Sequence, residues 1–447
     1  MTTDVLWFRR DLRLSDHPAL TSAAASGEVV GLFVVDPQLW ARGGPARRAW
    51  VAASVAALRD ATDGALVVRA GDPAVVVPEV AAAVGATTVH VSAETTPGGR
   101  RRDAQVAAAL AEQGAVGQPD GSPYAVMPGS VRTGQGTPYQ VFTPFSRAWR
   151  EHGWEEPLPR PRVEWRRMRN DAEATALLKD ALREAPTGMP AAGENAAQAR
   201  WRTFLQEGLS EYADGRDLPA RDLTSRMSPY LKVGAVHPRQ LLADLAGRSG
   251  PGVDRFVTEL AWREFYADVL WHRPESAWRD LRPLRIPYDD PGDALDAWRD
   301  GRTGYPLVDA GMRQLLHEGW MHNRVRMITA SFLTKDLHAW WPAGARHFLD
   351  HLVDGDLASN NHGWQWVAGT GTDAAPYFRV FNPVSQGKKF DPDGAYVRRW
   401  VPELAHLPGA AAHEPWRHPD GYDHGYPARI VDHAEERLEA LRRYHGD

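Results

Sequence analysis

Residues 354–383, DGDLASNNHGWQWVAGTGTDAAPYFRVFNP, combine more chemically useful side chains than any other run of this sequence. Two carboxylates separated by one residue, Asp354 and Asp356, two adjacent asparagines and two tryptophans one residue apart lie within it. Because buried polar groups need hydrogen-bond partners, this mixture is not typical of a plain core helix. It predicts the lining of a pocket for a large ligand that is both polar and aromatic.

A second run, TSRMSPYLKVG at 224–234, sets hydroxyl side chains before a predicted helix. Thr224, Ser225 and Ser228 would lie beside free N–H groups at the start of that helix, where an anion such as phosphate binds favourably. Ordinary capping of the helix explains the same three residues and stays open at this point.

A third run, ELAWREFY at 259–266, carries Glu259, Trp262 and Arg263 at helical spacing, hence on one face. A carboxylate, an indole and a guanidinium suit the edge of a nucleic-acid base, its face and a phosphate, respectively. The alternative is a surface ion pair beside a half-buried tryptophan.

The run GWMHNRVRM at 319–327 sets Asn323 and Met327 on one helical face, with Arg324 and Arg326 beside them. Taken alone, it equally describes a basic helix surface.

The elements that must position these residues change along the chain. Residues 1–128 alternate Val-rich runs with Ala-rich amphipathic runs, which predicts an α/β domain: a parallel, Rossmann-like sheet flanked by helices. Residues 129–195 are rich in Gly, Pro and Thr and predict an interdomain linker with one helix near 171–184. Helical patterns dominate 196–447, so we expect an all-helical second domain that carries the pocket.

Composition excludes several classes of protein. The net charge of −5 excludes a generally basic nucleic-acid binder, although a local basic face remains compatible with it. The sequence has no cysteine, which excludes disulfides, thiolate metal sites and cysteine nucleophiles; we expect no metal site and a reducing cytoplasm. No apolar run approaches the roughly 20 residues that a membrane span needs, so we expect no membrane association.

Taken together, these motifs resemble the DNA photolyase/cryptochrome family over nearly the whole chain. The opening LWFRRDLRLSDHPAL is followed in family order by WREFY, GYPLVDAGMRQL, GWMHNRVRMI, DGDLASNNHGWQW, GTDAAPYFRVFNP and KFDPDGAYVRRWVPEL. The resemblance is closest to class I cyclobutane pyrimidine dimer photolyases. It implies fully reduced FAD in the helical domain, and a carbon–carbon lyase that uses light to pass an electron to a dimer flipped out of UV-damaged DNA.

The resemblance also implies a role for each residue of the FAD site. Asn360 matches the residue that faces flavin N5, where plant cryptochromes have Asp and many insect ones have Cys; asparagine favours repair over signalling. Arg326 is expected to pair with Asp354. The implied FAD contacts are Tyr212, Thr224, Ser225, Arg226, Met227, Ser228, Arg263, Arg326, Asp354, Gly355, Asp356 and Asn360.

On the DNA side, the cyclobutane branch is favoured because His322 is followed by Asn323, whereas the (6-4) branch carries two adjacent histidines here. The resemblance implies catalytic roles for Glu259, Asn323, Asn360 and Met327. The implied contacts to DNA and lesion are Glu259, Trp262, Arg263, Asn323, Arg324, Met327, Trp366 and Arg379.

The family's electron chain is matched in part. Trp364 matches the tryptophan next to the flavin and Trp341 the middle one, but Tyr288 stands at the surface end, where the family commonly has tryptophan. Oxidation of a tyrosine usually requires loss of its proton as well, so transfer would be slower. Trp340 and Trp298 are the alternatives for the surface end.

A second, light-harvesting chromophore is expected in the α/β domain. Phe33, Asp36, Arg47 and Asp103 match the deazaflavin-binding branch of the family. Methenyltetrahydrofolate is less favoured, because Gly99 stands where the folate branch has glutamate. The alternative is a domain whose antenna pocket is empty.

The expected partner is UV-damaged DNA, acted on by a monomer without an obligate protein partner. A blue-light receptor of the cryptochrome type, sharing FAD and fold but needing no lesion binding, is the alternative function.

Overall fold

A parallel β-sheet organises the N-terminal part of the chain in the computed structural model, which describes residues 2–373 and 379–446. The strands are β1 Thr2–Phe8, β2 Gly27–Val35, β3 Val67–Ala70, β4 Thr88–Val91, β5 Val116–Pro119 and β6 Glu164–Trp165. The main strands lie in the order β3-β2-β1-β4-β5, and Val5 of β1 lies opposite Val30 of β2 and Val89 of β4. The short strand β6 pairs with β2.

Helices cover both faces of this sheet, which explains why β1 and β2 read as continuous apolar runs. Val5 and Val30 belong to one apolar cluster and Leu6 and Val29 to another, and all four are fully buried. The predicted α/β fold class is therefore confirmed. The helices of this part are α1 Pro18–Ser26, α2 Pro37–Arg42, α3 Pro45–Ala61, α4 Pro73–Val84 and α5 Pro97–Glu112.

The segment predicted as a linker is more ordered than its composition suggested. It contains the predicted helix, α7 Ala172–Arg183, and also α6 Phe142–His152, which the prediction lacked. Phe142, Phe145 and Trp149 of α6 are buried in the large apolar cluster, so they anchor the segment to the helices. The Gly-, Thr- and Pro-rich residues before α6 hid its helical pattern. The boundaries at 128 and 195 stay predictions.

In the described residues after α7, every regular element is helical, as predicted. None of the described helices is both long and apolar enough to cross a membrane. Two π-helical turns, Phe204–Gly208 and Phe332–Asp336, and four short 3-10 turns interrupt the α-helices. These helices are α8 Glu194–Thr203, α9 Tyr212–Gly215, α10 Ser228–Val233, α11 Pro238–Leu245, α12 Pro251–His272, α13 Asp293–Arg299, α14 Pro306–Glu318, α15 Asn323–Ser331, α16 Pro342–His351, α17 Leu357–Ala368, α18 Pro383–Phe390, α19 Ala395–Trp400 and α20 His433–His445.

Helix α17 occupies the centre of this arrangement and packs against α12, α15 and α16. Asp356 caps its N-terminus by accepting a hydrogen bond from the Ser359 backbone N–H at 3.1 Å. Such a cap satisfies one of the free N–H groups of the first turn and fixes where the helix begins. Asn360 and Trp364, four and eight residues beyond the cap, consequently point to one side of α17.

Candidate active site

Helices α10, α12, α15 and α17 enclose a cavity of about 550 Å³, here called the smaller cavity. This volume lies within the range of about 300–1,000 Å³ that is usual for ligand and cofactor pockets. Four runs that are distant in sequence meet in its wall. The predicted site residues in that wall are Tyr212, Thr224, Ser225, Arg226, Met227, Ser228, Glu259, Trp262, Arg263, Asn323, Arg324, Arg326, Met327, Asp354, Gly355, Asp356, Asn360, Trp364 and Trp366.

A buried ion pair joins two of these runs. Arg326 Nη2 donates to both carboxylate oxygens of Asp354, at 2.8 and 3.1 Å, and Ser228 Oγ donates to the same carboxylate at 2.6 Å. The Asp354 side chain is only 2 % exposed. The predicted pairing of Arg326 with Asp354 is confirmed, and it ties α10, α15 and the approach to α17 together.

Asp356 forms a second charged cluster at the far end of the cavity. Arg10 Nη2 donates to its carboxylate at 2.8 Å, and the Lys232 ammonium lies 3.8 Å away. Burial alone would raise the pKa of Asp356, but Lys232, Arg10 and Arg263 lower it below its ordinary value. Burial and the neighbouring Arg10 lower the pKa of Lys232 to about 8. Asp356 is therefore ionised at neutral pH.

Asn360, the asparagine of α17 that lines the cavity, has its carbonyl oxygen free for a ligand. Asn360 Nδ2 donates to the backbone oxygen of Ala345 at 3.1 Å and to Asn361 Oδ1 at 2.9 Å. Both amide hydrogens are thus used within the protein, which leaves the carbonyl oxygen of Asn360 for a ligand. Trp364 follows Asn360 one helical turn later. Its ring packs so closely on Gly344 of α16 that a Cβ at residue 344 would overlap it, so position 344 requires glycine.

The predicted lesion-binding residues are held by partners that sequence reasoning missed. Glu259 forms an ion pair with Arg216, and Arg324 donates to Asp217 at 2.7 Å. Arg216 and Asp217 are adjacent, just beyond the short helix α9. Their only sequence signal was the charged run ADGRD, which is also common at surfaces. Other wall residues outside the prediction include Leu231, Lys232, Phe256, Tyr266, Trp320, Met321 and Ser359.

The three remaining electron-chain and DNA residues lie outside the cavity wall. Trp341 is fully buried, and its Nε1 donates to Asp280 at 2.6 Å. The Tyr288 ring centroid lies 6.4 Å from that of Trp340, which in turn lies 6.4 Å from that of Trp341. Trp340 is 43 % exposed. Arg379 follows residues 374–378, which form the middle of the motif GTDAAPYFRVFNP and lie outside the described part of the chain.

The alternative tryptophan, Trp298, has a different environment. It is fully buried, its ring centroid lies 6.1 Å from that of Trp364, and its Nε1 donates to the backbone oxygen of Thr329 at 3.0 Å. Trp298 therefore neighbours Trp364 but does not reach the surface.

A larger cavity, of about 1,170 Å³, lies at the carboxyl ends of β1 and β2 and reaches the helices. Three of the four predicted antenna contacts, Phe33, Asp36 and Arg47, line it, whereas Asp103 is not in its wall and instead pairs with Arg9. Lys232 and Gly355 belong to the walls of both cavities. Cations outnumber carboxylates in this wall: Arg9, Arg10, Arg42, Arg47, Arg48, Arg101, Arg102, Lys232 and Arg346 against Asp36, Asp72, Glu94 and Asp350.

Comparison with known proteins identifies the family. Residues 4–162 match the family model for DNA photolyase, and residues 256–446 match the FAD binding domain of DNA photolyase. The chain is 44% identical to the deoxyribodipyrimidine photo-lyase of Streptomyces griseus, over 99% of both proteins. It is 40% identical to that of Escherichia coli K12, over 99% of this chain and 98% of the relative. The chain belongs to the DNA photolyase family.

Solved structures agree with this membership. A bacterial class III photolyase from Agrobacterium tumefaciens superposes with a TM-score of 0.92 at 36% identity, covering 100% of this chain and 98% of its own. An archaeal photolyase from Sulfolobus tokodaii, solved with two FAD molecules, gives 0.87 at 28% identity over 100% of both chains. The family resemblance and the two-part fold predicted from the sequence are confirmed.

The smaller cavity fits FAD, the cofactor that the match to the FAD binding domain implies. FAD needs hydrogen-bond acceptors for its ring, cations and hydroxyls for its phosphates, and apolar surface, and the wall contains all three. Arg263 Nη1 and Trp364 Nε1 are buried and have no hydrogen-bond partner among the described residues. Since unpaired buried donors are costly, both favour a polar ligand at this position.

Proposed function

We propose that this photolyase-family member repairs cyclobutane pyrimidine dimers in DNA with light, as a deoxyribodipyrimidine photo-lyase. One observation carries the proposal. A single cavity brings Asp354 and Asn360, the implied FAD contacts, together with Glu259 and Asn323, the implied lesion contacts. When bound and fully reduced, FAD supplies the light-driven electron that opens the dimer. The protein's own residues bind, orient and shield the reacting groups.

The cofactor side of the cavity is built to hold FAD rigidly. Arg326 and Ser228 fix the Asp354 carboxylate in one orientation, in which it would accept hydrogen bonds from the bound cofactor. The Asn360 carbonyl accepts at the ring without carrying charge. Lys232 and the hydroxyls of Thr224 and Ser225 suit the phosphates, since hydroxyl and ammonium donors both bind phosphate oxygens.

The lesion side combines two polar groups with an apolar wall. The Glu259 carboxylate accepts from a pyrimidine N–H, and the Asn323 amide donates to a pyrimidine carbonyl. Arg216 holds Glu259 in place. Met327, Trp262 and Trp366 exclude water around them, which strengthens both polar contacts. Photolyases as a class take their target out of the base stack, and a damaged pair costs least to open, so weak pairing assists recognition.

We infer that electrons from solution reach the cavity through Trp341 and Trp364, and that Trp340 rather than Tyr288 is their entry point. Trp340 neighbours Trp341 and is exposed, whereas among the described ring contacts Tyr288 pairs with Trp340 and not with Trp341. Oxidation of a neutral tyrosine requires loss of the phenolic proton, and burial raises the pKa of Tyr288 to about 12, which makes that loss less favourable and Tyr288 a slow donor.

We further propose that the larger cavity holds the antenna chromophore, with a deazaflavin favoured over methenyltetrahydrofolate. Its cationic wall suits an anionic ring or a phosphate, and Phe33 offers an aromatic face. The Sulfolobus tokodaii neighbour is described with a second FAD as a light-harvesting cofactor, which supports a second chromophore here. Absorption of the purified protein, followed by extraction of its chromophores, identifies the occupant.

A gel shift with a UV-irradiated thymine oligonucleotide tests the proposed function. We expect tight binding in the dark and release of repaired DNA under blue light. Glu259→Ala should lower repair per absorbed photon more than affinity for undamaged DNA, whereas Glu211→Ala, an exposed glutamate paired with Arg221, should change neither. Equal affinity for irradiated and intact DNA would instead support the blue-light receptor.

A further inference from the structure

An aromatic pair connects the segment predicted as a linker to the lesion side of the cavity. The ring of Phe142, the first residue of α6, stacks on the indole of Trp262 with centroids 3.6 Å apart and planes 5° apart. Phe142 is buried, and Trp262 is half-buried in the cavity wall. One face of the Trp262 ring is therefore stacked on a residue that is not part of the cavity wall.

The same segment is bonded to the turn that follows α17. The Phe142 backbone N–H donates to Asp373 Oδ2 at 3.4 Å, and Thr372 Oγ1 donates to the backbone oxygen of Gln140. Helix α17 carries Trp366, the other tryptophan of the lesion side. Residues 140–142 thus contact both the helix that bears Trp262 and the turn after the helix that bears Trp366.

This arrangement limits the ways in which Trp262 can meet a base. Phe265 contacts its edge at 5.8 Å between centroids with planes 74° apart, and Tyr266 lies 5.4 Å away on the same helix. With Phe142 on one face, a pyrimidine meets the opposite face or the exposed edge. A ring already held in its binding orientation loses less conformational freedom when the ligand arrives.

We propose that Phe142 is a positioning residue for lesion recognition: it holds the Trp262 indole in the plane against which a flipped pyrimidine dimer packs. This inference rests on the proposed function and adds a residue that neither the cavity wall nor the motifs contain. It also assigns the segment 140–142 a part in DNA binding beyond that of a connection.

The test compares Phe142→Leu with Phe145→Leu, a matched control on the same helix. Phe145 is equally a buried ring, and among the described contacts it packs on Tyr139 and Phe265 and not on Trp262. We expect Phe142→Leu to weaken dark binding of a thymine-dimer oligonucleotide about three- to tenfold, the range that corresponds to ordering one freed side chain on binding. The affinity of Phe142→Leu for intact DNA should stay within about twofold of the wild-type affinity. Phe142→Tyr, which keeps the ring, should bind the lesion as the wild type does.

A second readout follows the ring itself. In protein labelled with 5-fluorotryptophan, the Trp262 fluorine resonance, identified by its loss in Trp262→Phe, should shift and broaden in Phe142→Leu and stay unchanged in Phe145→Leu. Phe142→Met, which keeps volume but not the flat ring, replaces the leucine variant if that variant is insoluble. In a Trp262→Ala background, removal of Phe142 should cause no further loss of lesion affinity.

Wild-type lesion affinity in Phe142→Leu, an equal loss in Phe145→Leu, or a parallel loss for intact DNA overturns the inference while leaving the proposed function intact. Absence of any lesion preference in the wild-type protein overturns both.

Discussion

Removal of the Asp354 carboxylate should destabilise the helical part and release FAD together. Taking one partner from a buried ion pair costs about 3–5 kcal/mol, because the other charge is left buried alone. Arg326 is 25 % exposed, so water partly solvates it and the lower value, about 3 kcal/mol, applies. With an unfolding entropy of about 2.1 cal/mol/K for each of the 447 residues, this lowers the melting temperature by about 3 °C.

The assay is thermal unfolding of the FAD-free protein, with FAD retention after gel filtration measured in parallel. Ser228→Ala, which removes one hydrogen bond to the same carboxylate, should cost about 1.5 kcal/mol. The double variant Asp354→Ala/Arg326→Ala should cost about 2 kcal/mol less than the two single losses added together, since neither charge is then stranded. Strictly additive losses would refute this account of the pair.

Two further predictions concern the charge and redox groups around the cavity. The folded-state pKa of Lys232, about 8, lies below its ordinary 10.5, so the unfolded chain binds more protons between these values. The stability of the wild type relative to Lys232→Met should therefore rise by about 2.5 kcal/mol from pH 8 to 10.5, measured by urea unfolding; a flat difference contradicts it. Trp340→Phe should slow photoreduction of bound FAD by an external reductant more than Tyr288→Phe does, and leave repair by chemically reduced enzyme unchanged. Equal slowing by both substitutions would return the entry point to Tyr288.

Local chemistry explains why much of the site could be predicted from the sequence. Asp354, Asp356 and Asn360 lie within one run of seven residues, and the cap at Asp356 directs that run into the cavity. Glu259, Trp262 and Arg263 share one face of a single helix, where spacing alone brings side chains together. Strands β1 and β2 were likewise evident from their apolar runs, whereas β5 and β6, with the sequences VGQP and EW, carry no such run and were not predicted.

Long-range partners could not be predicted in this way. Arg10 lies 346 residues from Asp356, and nothing in either neighbourhood indicates the other. Glu259 and Arg216 are separated by 43 residues and meet only because α9 packs against α12. Helix α6 was missed for a related reason: burial of Phe142, Phe145 and Trp149 by distant helices, rather than intrinsic helix preference, stabilises it.

The position of Lys232 has a consequence for the two chromophore cavities. Lys232 belongs to both walls, and Arg10 lies 2.8 Å from Asp356 on one side and 3.4 Å from Glu94 on the other. An anionic ligand in either cavity would favour the charged form of Lys232. Ligands in the two cavities would interact with the same two cations, Arg10 and Lys232. Because coupling between binding sites is reciprocal, we expect that, if the larger cavity binds the proposed antenna, its affinity and that of FAD are linked through this cluster. The charges that keep Asp356 ionised would then also be the charges through which occupancy of one cavity changes binding in the other.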